Sequence, residues 1–222
     1  MIWSDFVLVW GLPPLFFLLL FILSTFILYL FIKSPRSFLF KEDIQNKVDK
    51  KKRLPSGANV RLSYGYLLAL LLLDNGIQAT LFYRISRYLL EHRWRSLAVV
   101  VHAFAKFLTH IDISPHAVIG PGLTFYHGLG VVIGKNTKLG SRVTVCQNVT
   151  TGGGRPQIGD DVILWAGAKI IGSHQIGDRA EVGANAVVIS DVPSDCVAVG
   201  IPAQRFLPKA KNEQIDFDIV ID

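Results

Sequence analysis

Cysteine is scarce in this chain. Cys146 and Cys196 are the two present and form no Cys-x-x-Cys pair, so both read as small packing residues rather than redox or metal-binding groups. Charge is missing altogether from one stretch, Phe6 to Ile32. Pro13-Pro14 interrupts it, but Leu15 to Ile32 keeps about the length needed to cross a hydrocarbon core. A cleavable signal peptide would want a basic start and a small-residue cleavage site. The start carries Asp5 instead, and no Ala-x-Ala follows. Residues 1–32 are therefore expected to be a permanent transmembrane anchor.

What charge there is lies unevenly. The net value is +6, and the stretch from Lys33 to Arg53 concentrates Lys33, Arg36, Lys41, Lys47, Lys50, Lys51, Lys52 and Arg53 against Glu42, Asp43 and Asp49. A basic block beside an apolar segment reads as juxtamembrane charge, not as a nucleic-acid stripe, so no nucleic-acid partner is expected. By the positive-inside rule the rest of the chain lies on the cytoplasmic side, a single-pass protein of the inner, cytoplasmic membrane with its catalytic domain in the cytoplasm. Half of the residues are hydrophobic and mean hydropathy is +0.39, in keeping with that reading.

Residues 113–193 carry a six-residue period. Ile158, Leu164, Ile170, Ile176, Val182 and Val188 follow one another at that spacing, and Val162, Ala168, Ala180, Ala186 and Val192 lie four residues on, with His174 the exception. The same phase runs earlier through Ile133, Leu139 and Val145, and through Ile113, Ile119 and Phe125. It slips by two residues after Phe125 and by one within Thr151–Gln157. A hexapeptide period specifies a parallel β-helix: the two apolar positions share one face of a short strand and point into a narrow prism, and three hexapeptides make a turn of about eighteen residues. The fold class expected is mainly β, with this solenoid at residues 111–208.

Ahead of it, residues 33–63 read as a basic juxtamembrane linker ending in Leu54 to Arg61, with Pro55, Ser56 and Gly57. Tyr64 to Leu73 is apolar but is broken by Asp74-Asn75-Gly76, too short for a second crossing. A helix lying on the membrane or packed on the anchor is expected there. Ile77, Leu81, Ile85, Tyr88 and Leu89 recur at helical spacing, and Leu97 to Leu108 is another apolar-faced helix, so residues 64–110 form a small helical region. His92, His102 and His110 read as surface or helix-packing residues. The tail, 209–222, is assigned no fold.

His127 stands out because it falls in the first register break, flanked by Gly128 and Gly130, and is displaced from the aliphatic ladder. A neutral imidazole is suited to take a proton from a hydroxyl near neutral pH. Asp112 precedes it by a little less than one turn, and a carboxylate there would fix the tautomer and stabilise the imidazolium.

These residues resemble a known family. Asp112-Ile-Ser-Pro115, Ile119-Gly-Pro-Gly122, His127-Gly-Leu-Gly-Val-Val-Ile-Gly134, Val149-Thr-Thr-Gly-Gly153, Ala166-Gly-Ala-Lys-Ile170 and Gly200-Ile-Pro-Ala203 resemble the serine acetyltransferase branch of the left-handed β-helix acyltransferases. Asp74 to Arg84 looks like the helical lead-in of short polysaccharide-associated members. The resemblance covers about residues 74–208. It implies an acetyl-CoA-dependent O-acetyltransferase, with acetyl-CoA as co-substrate and no metal, acting as a homotrimer with pairing of trimers left open. His127 would be the general base and Asp112 its orienting acid. Thr151, Gly152 and Gly153 would lie at the thioester, with a backbone amide there facing the oxyanion. Ala166, Gly167, Ala168 and Lys169 would line the pantetheine groove and Arg205 would reach a CoA phosphate. Asp74, Tyr126 and Arg155 would face the acceptor. Trp165 stands where glycine is usual.

The departures concern the acceptor. Members of the branch carry an acid directly before the catalytic histidine, where this chain has Tyr126. They carry a histidine two residues after the orienting acid, where it has Ser114, and an Arg-His-Pro element in a longer loop, of which Arg155-Pro156 remains. The terminal isoleucine that docks such enzymes to cysteine synthase is replaced by Asp222. Loss of fixed charges for a zwitterion, together with the anchor, makes a sugar of a lipid-linked or nascent cell-surface polysaccharide the expected acceptor. L-Serine, for cysteine biosynthesis, is the alternative, and a non-catalytic assembly module is a third reading. A β-helix zinc hydratase would need a His-x4-His element that His116, His127 and His174 do not supply.

Overall fold

In the computed structural model of the chain, residues 33–51 and 63–208 are described. The expected anchor at 1–32, residues 52–62 of the expected linker and the tail at 209–222 lie outside the described residues. The chain divides into two units, residues 1–37 and 38–222, and the second carries the solenoid.

The six-residue period is a parallel β-solenoid with helices preceding it. Sheet A stacks β1 (Asp112–Ile113), β4 (Val132–Ile133), β7 (Thr150–Gly152), β10 (Lys169–Ile171) and β13 (Val187–Val188). Sheet B stacks β2 (Val118–Ile119), β5 (Lys138–Leu139), β8 (Gln157–Ile158) and β11 (Gln175–Ile176). Sheet C stacks β3 (Thr124–Tyr126), β6 (Thr144–Cys146), β9 (Ile163–Leu164), β12 (Glu181–Val182) and β14 (Cys196–Gly200), and closes with β15 (Ala203–Pro208) antiparallel to β14. The chain visits A, B and C in turn, and each fourth strand lies in register on the first. The rungs of sheet A run Asp112, Val132, Thr150, Lys169, Val187. Their spacing shows both slips in the period: the first turn is longer by two residues and the third by one.

The aliphatic ladder fills the prism. Phe125, Ile133, Val145, Leu164, Ile170, Val182 and Val188 are each at most 2% exposed, as are Val143, Val149, Val162, Ala168, Ala180 and Ala186. Thr151 takes one ladder position at the second slip. Its hydroxyl is satisfied inside the prism by that of Thr137, 2.9 Å away.

A solenoid's first turn has no earlier strand to receive its backbone groups, and buried groups of that kind need partners. The helices provide them. They are α1 (Pro35–Lys51), α2 (Tyr64–Leu73), α3 (Asn75–Glu91) and α4 (Arg95–Thr109). Asp74 starts α3, its carboxylate accepting from the Ile77 amide at 2.9 Å. Across the open end, the Tyr83 hydroxyl donates to the Ala117 carbonyl at 2.9 Å, and Arg84 donates to the carbonyls of Ile119 and Gly120 at 2.7 and 2.6 Å. Arg84 also grips Asp43 of α1 through two bonds of 3.0 Å, with both side chains fully buried. Asp43 in turn accepts from the Leu123 amide at 2.8 Å. Asn46 donates to the Gly122 carbonyl and the Thr124 hydroxyl at 2.5 and 2.9 Å.

These contacts correct the reading of residues 33–63 as a juxtamembrane linker, at least over α1. That stretch is a helix fastened to the solenoid. Its Lys47 donates to the Phe125 carbonyl at 3.2 Å and Lys50 to the Arg142 carbonyl at 3.1 Å, so these cations face protein rather than lipid headgroups. Among the described residues no single helix is long and apolar enough to cross a membrane; only α2 and α3 together pass on length and composition, and they meet at 85°.

Candidate functional site

Two corners of the prism hold most of the residues singled out from sequence. One joins sheet C to sheet A. Between β3 and β4 it spends two more residues than between β6 and β7, since Tyr126 lies on Cys146 and Val132 on Thr150. The surplus forms a bulge with His127 at φ 53° and exposed to solvent. Gly128 lets this bulge settle on the turn beneath, because a Cβ there would lie 2.6 Å from the Ile111 side chain. Two backbone bonds hold the bulge down: the Gly130 amide on the His110 carbonyl at 3.0 Å, and the Asp112 amide on that of Val131 at 2.9 Å.

Ala166 and Gly167 occupy this corner two turns on. The Gly167 amide bonds the Gln147 carbonyl at 2.8 Å, as the Asn148 amide one turn lower bonds that of Leu129 at 2.9 Å. Lys169 turns its ammonium back onto the corner, donating to the carbonyls of Asn148 and Gly167 at 2.6 and 3.0 Å. Ala168 points into the core and is 0% exposed, so it can offer a ligand its backbone but not its side chain. Trp165 is held by its indole N–H on Glu181 at 3.0 Å.

The other corner joins sheet A to sheet B at Gly152 and Gly153. Thr151 faces the core, as above. Gly152 is open: a Cβ there would meet nothing within 4 Å. Gly153 takes φ 68°. Arg155 is exposed beyond it, its amide fixed by the Ser173 hydroxyl at 3.0 Å. The two corners lie at opposite ends of sheet A, so within one chain Gly152, Gly153 and Arg155 are not brought beside His127. Arg205 lies on β15, and its side chain is outside the described residues.

Asp112 lies one rung below Val132 and under the bulge. Its carboxylate, however, is engaged by a different histidine: His102 Nε2 on α4 lies 2.9 Å from Oδ1, and Lys106 Nζ lies 3.6 Å from Oδ2. Asp74 is also already paired. Its Oδ2 lies 2.5 Å from Lys47 Nζ, an ammonium whose pKa burial pushes down while Asp74 pulls it back up. His102, Lys106 and Lys47 are thus the residues that sequence reasoning missed. The first two had a signal, since His102, Lys106 and Thr109 fall on one helical face leading into Asp112.

Residues 155–190 match the family described as bacterial transferase hexapeptide (six repeats). Over 141 residues the chain is 43% identical to the serine acetyltransferase of Helicobacter pylori, covering 60% of this chain and 82% of that one. The chain belongs to the serine acetyltransferase family. It is an acetyl-CoA-dependent acetyltransferase, as the resemblance implied. Among solved structures, a serine acetyltransferase in complex with CoA superposes with a TM-score of 0.71 at 31% identity, over 82% of this chain and 74% of that one. Soybean serine acetyltransferase complexed with serine does so with a TM-score of 0.71 at 32% identity, over 81% and 73%. Family membership is the finding against the expected inner-membrane placement, which is set aside.

Proposed function

We propose that this chain transfers the acetyl group of acetyl-CoA to the hydroxyl of L-serine, with His127 as general base. The observation that carries the reading is the two-residue bulge that lifts His127 clear of the ladder at the corner shared with Ala166 and Gly167, in a chain of this family. His127 takes the hydroxyl proton as the oxygen attacks the thioester carbonyl. The tetrahedral intermediate collapses, the C–S bond breaks, and the imidazolium returns its proton to the departing thiolate. Asp112 stabilises the imidazolium. Backbone amides at Gly152 and Gly153 face the oxyanion. Since those glycines and His127 lie at opposite ends of sheet A, a closed ring of three copies, each setting one corner against the next copy's other corner, would complete the site.

A second reading is a neutral hydroxyl acceptor such as a sugar. It is favoured by the Lys47–Asp74 pair and by Tyr126: the carboxylate that would receive a substrate ammonium already holds one. The test is CoA release from acetyl-CoA by the purified full-length protein, with L-serine in one arm and a panel of sugars and nucleotide sugars in the other. The serine reading expects release with serine, reduced at least about 100-fold in His127→Ala, the usual scale for losing a general base. Release with sugars alone replaces serine by the second reading. Full turnover in His127→Ala removes His127 from the mechanism.

A further inference from the structure

We propose that His102 is a positioning residue for the acid of this site: by binding Oδ1 of Asp112 it sets the orientation in which that carboxylate serves His127. The proposal rests on the reading of Asp112 and His127 as acid and base. Three observations carry it. First, the bond is short and directional, 2.9 Å from His102 Nε2 to Asp112 Oδ1. Toward a carboxylate, which only accepts, Nε2 is the donor. Lys106 stands 3.6 Å from Oδ2. That is beyond hydrogen-bond length, so it adds positive charge without claiming the oxygen's lone pairs.

Second, the helix that bears His102 is rigidly joined to the strand that bears Asp112. Ala105 and Thr109 are buried on the same face of α4 as His102 and Lys106. The Thr109 hydroxyl donates to the Ala105 carbonyl at 2.8 Å and receives the Ile111 amide at 3.3 Å. His110 ends the helix in the left-handed region at φ 56°, and β1 begins two residues later. The His102 ring itself lines a cavity of about 10 Å³ shared with Ala79, Tyr83, Ser86, Ile111 and Ile113. Such a space holds no more than about one water.

Third, the joint lies directly under the catalytic bulge. His110 receives the Gly130 amide, Asp112 donates its own amide to Val131, and Ile111 is the side chain on which Gly128 rests. The backbone that carries Asp112 is thus bonded into the bulge that carries His127. At the Asp112 carboxylate stand His102 and Lys106, while Tyr83, which lines the same cavity as His102, has its hydroxyl on the Ala117 carbonyl at 2.9 Å.

The experiment is a double-mutant cycle on the full-length protein, with kcat and KM measured with whichever acceptor the wild type uses, and melting temperature recorded for each variant. His102→Asn is too short to reach Asp112, whereas His102→Gln can place an amide donor near the old Nε2. The expectation is a fall in kcat of about tenfold in His102→Asn, the scale of a lost hydrogen bond to a charged group that supports a catalytic one. KM for acetyl-CoA should stay within about twofold, because ground-state binding is untouched, and His102→Gln should recover most of the rate. In an Asp112→Asn background, His102→Asn should change nothing further, because it acts only through Asp112. Unchanged kcat in His102→Asn overturns the proposal, and so does an equal loss in the Asp112→Asn background. His102→Leu, which keeps bulk and drops the donor, carries the same test if the asparagine variant does not fold. His127→Ala separates the two levels: if it keeps full turnover, the acid–base reading itself fails. If it is inactive while His102→Asn is fully active, only the role of His102 is lost.

Discussion

The interior of the prism and the seam where α1 and α3 close it are equally dry and oppositely built. Leu164, Ile170 and Val188 are 0% exposed, and so are Arg84 and Asp43. In the prism each strand receives its backbone partners from the turn below and the turn above, so the side chains need supply only bulk. At the seam the first turn has nothing below it. The side chains must supply hydrogen bonds, and Arg84, Asp43, Asn46 and Tyr83 each bond at least one main-chain group between residues 117 and 123. Burial at a solenoid's end is thus a backbone problem before it is a hydrophobic one.

Arg84→Met keeps the length of the side chain and removes every donor. Asp43 is then left buried without its cation, and the Ile119 and Gly120 carbonyls lose their caps. The expected loss is about 4 kcal/mol, the usual cost of removing one partner of a buried pair, read as a lower midpoint in urea unfolding. The double variant Asp43→Leu, Arg84→Met is the sharper form. A buried pair that served only itself would be replaced by apolar side chains at little cost. Here the Leu123 amide and two carbonyls stay orphaned, so the double variant should remain destabilised by roughly 1–3 kcal/mol for each buried group left unpaired. Full recovery would show that the seam is an ion pair and nothing more.

The prism answers to a different rule. Leu164→Ala opens a cavity with no polar consequence and should cost about 3 kcal/mol. That loss should be unaffected by the state of the seam, since Leu164 lies two turns away from it along sheet C. Thermal unfolding of Leu164→Ala, Arg84→Met and the combination checks this. Additive losses keep the two regions separate, and strong coupling would join them.

The same contrast decided what could be read in advance. The ladder from Ile113 to Val188 was legible because apolar bulk repeats, and its slips after Phe125 and within Thr151–Gln157 located both corners of the candidate site. α1 was not legible as a docked helix. Its partners are backbone groups some eighty residues away, such as the Leu123 amide for Asp43, and a main-chain group has no signature in a sequence. Lys47 and Lys50 were consequently counted as free charge beside an apolar segment, although they are fastened to Phe125 and Arg142. Asp112 is legible as a candidate from its spacing, but the histidine that meets its carboxylate is not. The spacing between Asp112 and His127 was visible, whereas the approach of His102 depends on how α4 folds back on β1.

The seam also makes a smaller prediction that the prism cannot make, because it depends on a titrating group. Lys50 of α1 donates to the Arg142 carbonyl and to the Thr144 hydroxyl. Burial pushes its pKa down to about 8, against the pull of Asp161 and with help from Arg142. In the unfolded chain it returns toward the ordinary lysine value of 10.5. Below pH 8 both states hold the proton and the folded state bears the cost of a buried cation. Between about 8 and 10.5 the unfolded chain holds it while the folded chain has released it, so the unfolded state binds more protons and stability rises with pH through that window. The Lys50 contribution should therefore improve by about 1 kcal/mol on going from pH 7.5 to pH 10, after discounting for partial solvent contact. The clean reading is the difference in urea midpoint between wild type and Lys50→Met at each pH, which cancels the titration of groups common to both. A difference that shifts toward the wild type as pH rises places the Lys50 ammonium in the dry seam. A flat difference across the window would mean that Lys50 remains hydrated, and that the polar closure of the solenoid ends at Lys47.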